Sequence, residues 1–306
     1  MEYSFTVNVF ILTYNQEQFI AQTIESVLMQ KTNFVYQVVI GEDCSNDATR
    51  SICENYMQQF PEKIKLLPAL DNNIGLIANY MRTIKECNGK YIAICDGDDY
   101  WIDEYKLQKQ VNFLESNPDF SIVYTKVRKL FPNGEFKESS MIPKKRTTDF
   151  EDLVFDNYIP SVTALFKNIQ DCQNQLPNWI LKFPYGDWPT YLWTIKEGGK
   201  IYFLDEVTAV YRMNIGVSFK IRKVVSAIVK TDLQITHEML NDLNFKMKRK
   251  IVQEALIERK ISLMARYNRE RNYLGAIKMF FYNLRYNLQQ YYVAKMYFYS
   301  LYKSFK

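Results

Sequence analysis

The sequence predicts an α/β protein with a mostly parallel central sheet flanked by helices, followed by an all-helical C-terminal extension. Three observations lead there. Short β-rich apolar runs alternate with helix-spaced segments between residues 6 and 95. Polar clusters follow directly on three of those runs. After residue 219 the pattern turns helical, with no proline and a single glycine, Gly275. Alternation of this kind implies βαβ units with right-handed crossovers.

Residues 6–13 (TVNVFILT) read as the first strand, closed by the turn signal Tyr14-Asn15. Residues 17–29 place Phe19, Ile20, Ile24, Val27 and Leu28 at helical spacing. Residues 35–40 form the second strand and 43–47 the polar loop after it, where Ser45 or Asn46 is the candidate cap of a helix running toward Phe60. Residues 64–67 are a third strand, 76–87 a helix and 91–95 a fourth, buried strand. Farther on, Pro132-Asn133-Gly134 is a turn between two β-like stretches and 143–146 a basic loop. A strand over 161–166, a helix over 187–196 and a strand over 201–211 complete the first part. Ligands of such sheets bind beyond the carboxyl ends of the strands. Thr13-Tyr14-Asn15, Glu42-Asp43 and Asp96–Asp99 all fall at those ends.

Composition narrows the function. An apolar fraction of 47% in 306 residues supports a core and excludes disorder. No run of about eighteen apolar residues occurs, so no spanning helix is expected. The start carries Glu2 and no basic region before the apolar run, which argues against a signal peptide. The five cysteines show no C-x-x-C spacing and read as reduced, cytosolic residues. His237 is the sole histidine, which excludes His-rich zinc and iron sites. Charge is divided: residues 220–306 hold 18 basic and 6 acidic side chains, against 21 and 28 in the remainder.

Asp96-Gly97-Asp98-Asp99 is the strongest local signal. Three carboxylates so close repel unless a cation or solvent separates them. Mg²⁺ and Mn²⁺ take hard oxygen ligands, commonly one or two carboxylates plus phosphate oxygens. A solvated acidic turn is the alternative of equal weight. An EF-hand loop fits less well, because Tyr100 and Trp101 stand where an oxygen ligand and a glycine are needed. Asp43 is placed either to accept a ring N–H of a base or to cap the next helix.

Taken together, VFILTYNQEQFIAQTIESVLMQ (9–30), VVIGEDCSNDATR (38–50), NIGLIANY (73–80), YIAICDGDDYW (91–101), YGDW (185–188) and VYRMNIGVS (210–218) form an ordered set. It resembles the inverting glycosyltransferases of family 2, with the GT-A fold. The resemblance implies a nucleotide-sugar-dependent catalytic domain over 1–218 and leaves 219–306 as a basic, aromatic-rich helical subdomain. It implies that Thr13, Tyr14 and Asn15 line the nucleotide pocket and that Asp43 binds the base. Asp96 would contact the ribose or metal-bound water, and Asp98 would ligate a divalent metal with Asp99 sharing that duty. Arg212 would lie near the diphosphate, and Asp187 would be the catalytic base, although Asp187 also reads as the N-cap of its helix. The donor would be a nucleotide sugar, with UDP favoured, and the acceptor a saccharide or lipid-linked saccharide.

Two positions depart from the pattern. Asn214 stands where relatives often have histidine, and asparagine is a weak metal ligand that does not titrate near neutrality. Gly186 stands where many relatives have a second acid. Tyr100, Trp101, Tyr185, Trp188 and Trp193 are candidates for stacking on sugar rings, but tryptophan at helical spacing more often belongs to the core.

The tail admits two readings. Residues 246–250 (KMKRK) and the aromatic stretch 280–305 suit an anionic membrane surface, hence a peripheral place on the inner face of a bacterial membrane. The favoured alternative is a charged helical subdomain packed on the catalytic domain or on a second copy in a homo-oligomer. No reading motif for nucleic acid accompanies the basic residues. Against the enzyme stand two other functions, a carbohydrate-binding or scaffold protein on the same fold and a sugar-1-phosphate nucleotidyltransferase. The last is disfavoured because residues 9–17 contain no glycine for a phosphate loop.

Overall fold

A computed structural model describes residues 5–138, 143, 145–169, 175–216, 224–286 and 289–306. Lys144, Cys172, Val217, Ser218 and Phe219 of the stretches above lie outside these residues. The chain divides into two compact units, residues 1–153 with 157–217, and residues 154–156 with 218–306.

The first unit is built on one sheet. β1 (Val7–Thr13), β2 (Tyr36–Glu42), β3 (Ile64–Leu66) and β4 (Tyr91–Ile94) pair in parallel in the order β3-β2-β1-β4. Helices α1 (Ile20–Leu28), α2 (Thr49–Gln59) and α3 (Leu76–Lys85) connect them. Every residue of β1 is buried, as expected of a parallel strand covered on both faces. Gly41 lets α3 lie directly on β2: a Cβ there would sit 1.8 Å from Thr83 Oγ1, and Asn79 Nδ2 donates to the Gly41 carbonyl at 2.7 Å.

The second half of the sheet is less regular. β5 (Tyr100–Trp101) and α4 (Lys106–Ser116) precede the long β6 (Phe120–Leu130), which turns at Gly134 into β7 (Phe136–Glu138). β8 (Thr147–Thr148), α5 (Phe150–Leu153), β9 (Leu165–Lys167), α6 (Asp187–Thr194) and β10 (Lys200–Arg212) follow. β9 runs antiparallel between β4 and β6, and β10 lies parallel to β6 beyond it. The six main strands therefore share one direction, and the reversed strands are short. The expected α/β architecture with helices on a mostly parallel sheet is what the chain adopts.

Two local expectations are corrected, and one helix is added. Residues 161–166 are not one strand: Ser161–Thr163 form a 3₁₀ turn after Pro160, and Thr163 Oγ1 bonds to the Pro160 carbonyl at 2.8 Å. Neither Ser45 nor Asn46 caps α2. Ser45 Oγ instead accepts the Asn15 N–H and the Asn46 N–H donates to Asn15 Oδ1, while Asp47 Oδ1 accepts the Thr49 N–H. Helix α4 was not anticipated, although Leu107, Val111 and Leu114 bury one face at helical spacing.

The second unit is helical: α7 (Val225–Asn241), α8 (Arg249–Arg269), α9 (Tyr273–Tyr286) and α10 (Gln290–Ser304). Ile261, Met264, Ala276, Val293 and Tyr297 form its core. Among the described residues no helix is long and apolar enough to cross a membrane.

One buried lysine belongs to the network that braces the 3₁₀ turn at Ser161–Thr163. Lys106, at 0% exposure, donates to Gln110 Oε1 at 2.8 Å and lies 4.2 Å over the Trp101 ring. Gln110 Nε2 donates to the Val123 and Thr163 carbonyls, and Trp101 Nε1 to the Val162 carbonyl. This network fixes the 3₁₀ turn that carries Ser161. Burial lowers the Lys106 ammonium from 10.5 to about 7. Below pH 7 the folded and unfolded chains both hold the proton, so the full burial cost is present. From there to 10.5 only the unfolded chain holds it, so stability rises with pH. Urea titrations of Lys106→Met at about pH 7 and about pH 9 should show a smaller rise than the parent protein, by up to about 1.4 kcal/mol per pH unit. Parallel pH profiles of the two proteins would refute this account.

Candidate active site

The carboxyl ends of β1, β2 and β4 meet through backbone hydrogen bonds. The Asp43 N–H donates to the Thr13 carbonyl at 3.1 Å, and the Gly97 N–H to the Leu12 carbonyl at 2.8 Å. The acidic turn thus lies directly beside the loop after β1. Gly97 is required by that approach: a Cβ would come within 2.4 Å of Gln16 Oε1 and 2.8 Å of the Leu12 carbonyl. The loops after β1 and β2 are laced together by Asn15 with Ser45 and Asn46, and by the Gln16 N–H donating to Thr49 Oγ1 at 2.7 Å. Asn15 takes a positive φ of 51° at this crossing.

Asp43 is buried and heavily used. Its carboxylate accepts from Asn73 Nδ2 at 2.9 Å, the Ile74 N–H at 2.9 Å and the Gly75 N–H at 3.0 Å. It therefore ties down the loop before α3 and does not cap α2. A carboxylate offers about four acceptor positions, so a base N–H would have to share oxygens already bonded three times.

The end of β10 closes the other side. Asp99, 1% exposed, accepts the Arg212 N–H on Oδ1 at 2.8 Å, and Thr23 Oγ1 donates to its carbonyl at 2.6 Å. Burial and the neighbouring Asp98 and Asp96 push its carboxyl well above the usual range. Asp99 is turned into the protein and joins two strands, a structural post that the metal-sharing expectation did not include. The Arg212 guanidinium lies 4.8 Å from the Phe19 ring and 4.6 Å from the Tyr100 ring. It donates to the Asp98 carbonyl at 2.5 Å and to Gln22 Oε1. Arg212 thus holds the acidic turn in shape from its inner side.

Asp98 is half-buried, and loss of water raises its carboxyl, opposed by Arg212 and a bond from Gln16. Gly216, at φ 76°, presses its backbone on this side chain, since a Cβ there would lie 2.5 Å from Asp98 Oδ2. Asn214 also takes a positive φ, 63°, so the segment after β10 is shaped by the backbone at both positions. Asp96 accepts from Ser161 Oγ at 3.1 Å. Around this turn Thr13 Oγ1, Gln16 Oε1, Asp99 Oδ2 and Tyr191 Oη are buried with no hydrogen-bond partner among the described residues.

Asp187 begins α6, where the positive end of the helix favours a carboxylate. Gly186, not Asp187, occupies the N-cap, and no side-chain cap bond is made. Asn157 Nδ2 approaches Asp187 Oδ2 at 3.4 Å. Burial first, and then the charges of Asp187 and Asp96, raise the hydroxyls of Tyr80 and Tyr191. Tyr80 Oη also donates to Thr190 Oγ1 at 3.0 Å. A Cβ on Gly186 would lie 2.7 Å from the Tyr80 ring. The missing second acid is thereby explained, because the phenol fills the space its side chain would need.

The structure gathers Thr13, Asn15, Asp43, Asp96, Asp98, Asp99 and Arg212 along one edge, with Tyr14 half-buried in the same loop. Asp187 begins α6 next to Gly186, which lies against the Tyr80 ring. Gln16, Asn73, Tyr80 and Ser161 are contributors that sequence reasoning did not name. Tyr80 closes the NIGLIANY segment and Gln16 follows the Thr13–Asn15 cluster, so adjacency was the available signal. Trp101, Trp188 and Trp193 are buried core residues, which removes them as sugar platforms.

Residues 8–172 match the pattern of Glycosyl transferase family 2, more than half of the chain. The chain belongs to this family. A functionally uncharacterised protein of Mycobacterium tuberculosis is 32% identical over 204 residues, 66% of this chain and 57% of that one. The chain thus spans under two thirds of that protein's length. Among solved structures, S. aureus TarS 1-349 in complex with UDP-GlcNAc aligns with a TM-score of 0.63 at 18% identity, covering 97% of this chain and 89% of TarS. The mannosyltransferase PcManGT from Pyrobaculum calidifontis, in complex with GDP-Man and Mn²⁺, aligns at 0.55 and 14% identity over 99% of this chain and 88% of its own. These likenesses establish the family's GT-A fold for this chain.

If Tyr80 excludes a side chain at 186, the two positions are coupled. Gly186→Ala should cost about 1–3 kcal/mol by overpacking. A double-mutant cycle with Tyr80→Ala should show about 0.5–3 kcal/mol of coupling in chemical denaturation. Simple additivity would remove the explanation.

Proposed function

We propose that the first unit is the catalytic domain of an inverting glycosyltransferase. It moves a sugar from a nucleotide diphosphate, UDP being the first candidate, to a hydroxyl of a saccharide or lipid-linked saccharide. Assembly of a bacterial surface polysaccharide or glycoconjugate is the setting this chemistry suits. One observation carries the reading. Three buried, unpartnered polar atoms, Thr13 Oγ1, Gln16 Oε1 and Tyr191 Oη, lie near the acidic turn at the carboxyl edge of a parallel sheet, and such atoms call for a polar ligand. The nucleotide sugars bound by TarS and PcManGT support the donor class.

Thr13, Tyr14 and Asn15 line the nucleotide side, and Asp43 shapes it by fixing residues 73–75. Asp96 stands beside them for the ribose. Among the described residues no group of three or more His, Cys, Asp or Glu side chains is arranged to hold an ion. The donor set nevertheless fits Mg²⁺ or Mn²⁺, which keep waters and take phosphate oxygens once one or two carboxylates are supplied. Asp98 is the carboxylate for that place, with Asp96 next to it, and a neighbouring cation would offset the desolvation that raises it. A bound divalent cation supplies charge neutralisation to the departing diphosphate. Asp99 and Arg212 act from beneath by holding the turn. Asp187, at the start of α6, accepts the proton of the acceptor hydroxyl.

Calorimetry with UDP, GDP and dTDP sugars, with and without Mn²⁺, identifies the donor. Asp98→Ala should lose the metal-dependent part of binding, and unchanged binding by this variant would remove its role. Asp187→Asn should keep donor affinity and lower kcat by about 10²–10⁴-fold. A binding or scaffold protein would show no turnover with any donor in the parent chain.

A further inference from the structure

The second unit exposes a continuous aromatic and basic face that its own core leaves uncovered. On α9, Leu274, Ile277 and Phe281 are 77%, 42% and 63% exposed. Their spacing of three and four residues places them on one side, with Lys278 and Arg285 among them. On α10 and its C-cap, Tyr291, Phe298, Tyr302 and Phe305 repeat the pattern at 83%, 62%, 55% and 73% exposure, flanked by Lys295. The opposite sides, Ala276 and Asn283 on α9 and Val293, Tyr297 and Ser300 on α10, are buried.

The two stripes are joined. Phe298 lies 6.2 Å from Phe280, next to Phe281 in sequence, and Phe305 stacks on Tyr273 at 5.8 Å, next to Leu274. The middle of α10 and the residue that caps it therefore bring exposed rings against α9, and the rings make one surface.

Charge selects the occupant. Residues 271–306 contain six basic side chains, Arg271, Lys278, Arg285, Lys295, Lys303 and Lys306, and no acidic one. A second copy would set like charges against each other, and nothing on the face would answer them. A groove for nucleic acid would not need leucine, isoleucine and phenylalanine pointing into water. An anionic bilayer satisfies both features: the rings and aliphatic side chains enter the headgroup boundary, and the cations meet lipid phosphates. Neither helix is long or apolar enough to cross it, so they lie in its plane.

We propose that the α9–α10 face is a docking surface for an anionic phospholipid bilayer. This inference is independent of the donor-site reading, which concerns the other unit.

The test is flotation of the full chain with vesicles of phosphatidylcholine alone, or with about one third phosphatidylglycerol. The chain should float with the anionic vesicles at low salt and be released as salt rises. Lys278→Gln, Lys295→Gln and Lys303→Gln should each lower partitioning about fivefold. Phe281→Ser with Phe298→Ser should abolish it while nucleotide-sugar binding is retained. All five positions are exposed, and circular dichroism checks that the variants fold; if the serine pair does not, the lysine variants decide. Failure to float at low salt, equal partitioning onto neutral vesicles, or unchanged partitioning of the lysine variants would overturn the proposal. So would a dimer in sedimentation velocity that the serine pair dissolves, since the face would then belong to a second copy. Capture of RNA in place of vesicles would overturn it as well.

Discussion

The bond from the Arg212 N–H to the buried Asp99 carboxylate is the constraint on which the candidate site depends. It joins a turn after β4 to the end of β10, two segments separated by 113 residues. A buried acid with one oxygen unpartnered is costly, of the order of 1–3 kcal/mol for the unmade bond. That cost is tolerable because the same residue fixes the backbone of both strands at once. Remove the link and Asp98 loses its support from beneath, Arg212 loses its place between Phe19 and Tyr100, and the loop with Gly216 no longer faces the turn.

A second layer of constraint comes from side chains used as backbone partners. Asp43 holds residues 73–75, Gln110 and Trp101 hold residues 162–163, and Thr23 bonds the Gly97 and Asp99 carbonyls. Each is buried, and each replaces water for a loop that would otherwise be solvated. The edge of the sheet is therefore braced where ligand chemistry needs fixed geometry, and among its unmet polar atoms are several around the acidic turn.

Much of this was legible in the sequence, for physical reasons. Strands β1, β2 and β4 are near-continuous apolar runs, the mark of parallel strands buried on both faces, and they were placed within a residue or two. The polar clusters after them converge because parallel neighbours end on one edge. What was not legible depended on tertiary partners. Ser161–Thr163 carry β-like residues, but Pro160 and local hydroxyl bonds fold them into a turn. Ser45 and Asn46 are good caps in isolation, yet Asn15 across the loop claims them. The inward post of Asp99 cannot be told from the outward one of Asp98 by spacing, since the difference lies in a strand more than a hundred residues away. Gly186 read as a missing acid until Tyr80 was seen to occupy its space.

The reversed strand β9 has a consequence for synthesis of the chain. β1, β2 and β3 pair with near neighbours in sequence, and the parallel platform closes when β4 leaves the ribosome and reaches β1. β6 must wait for β9 to separate it from β4 and for β10 to cover it, a delay that spans some eighty residues of translation. During that interval the long β6 presents open edges, and pairing of such edges is slow and prone to misassociation. The carboxylate cluster is thus completed last, when the final strand arrives, so nascent chains would carry a finished platform long before they could bind anything on it.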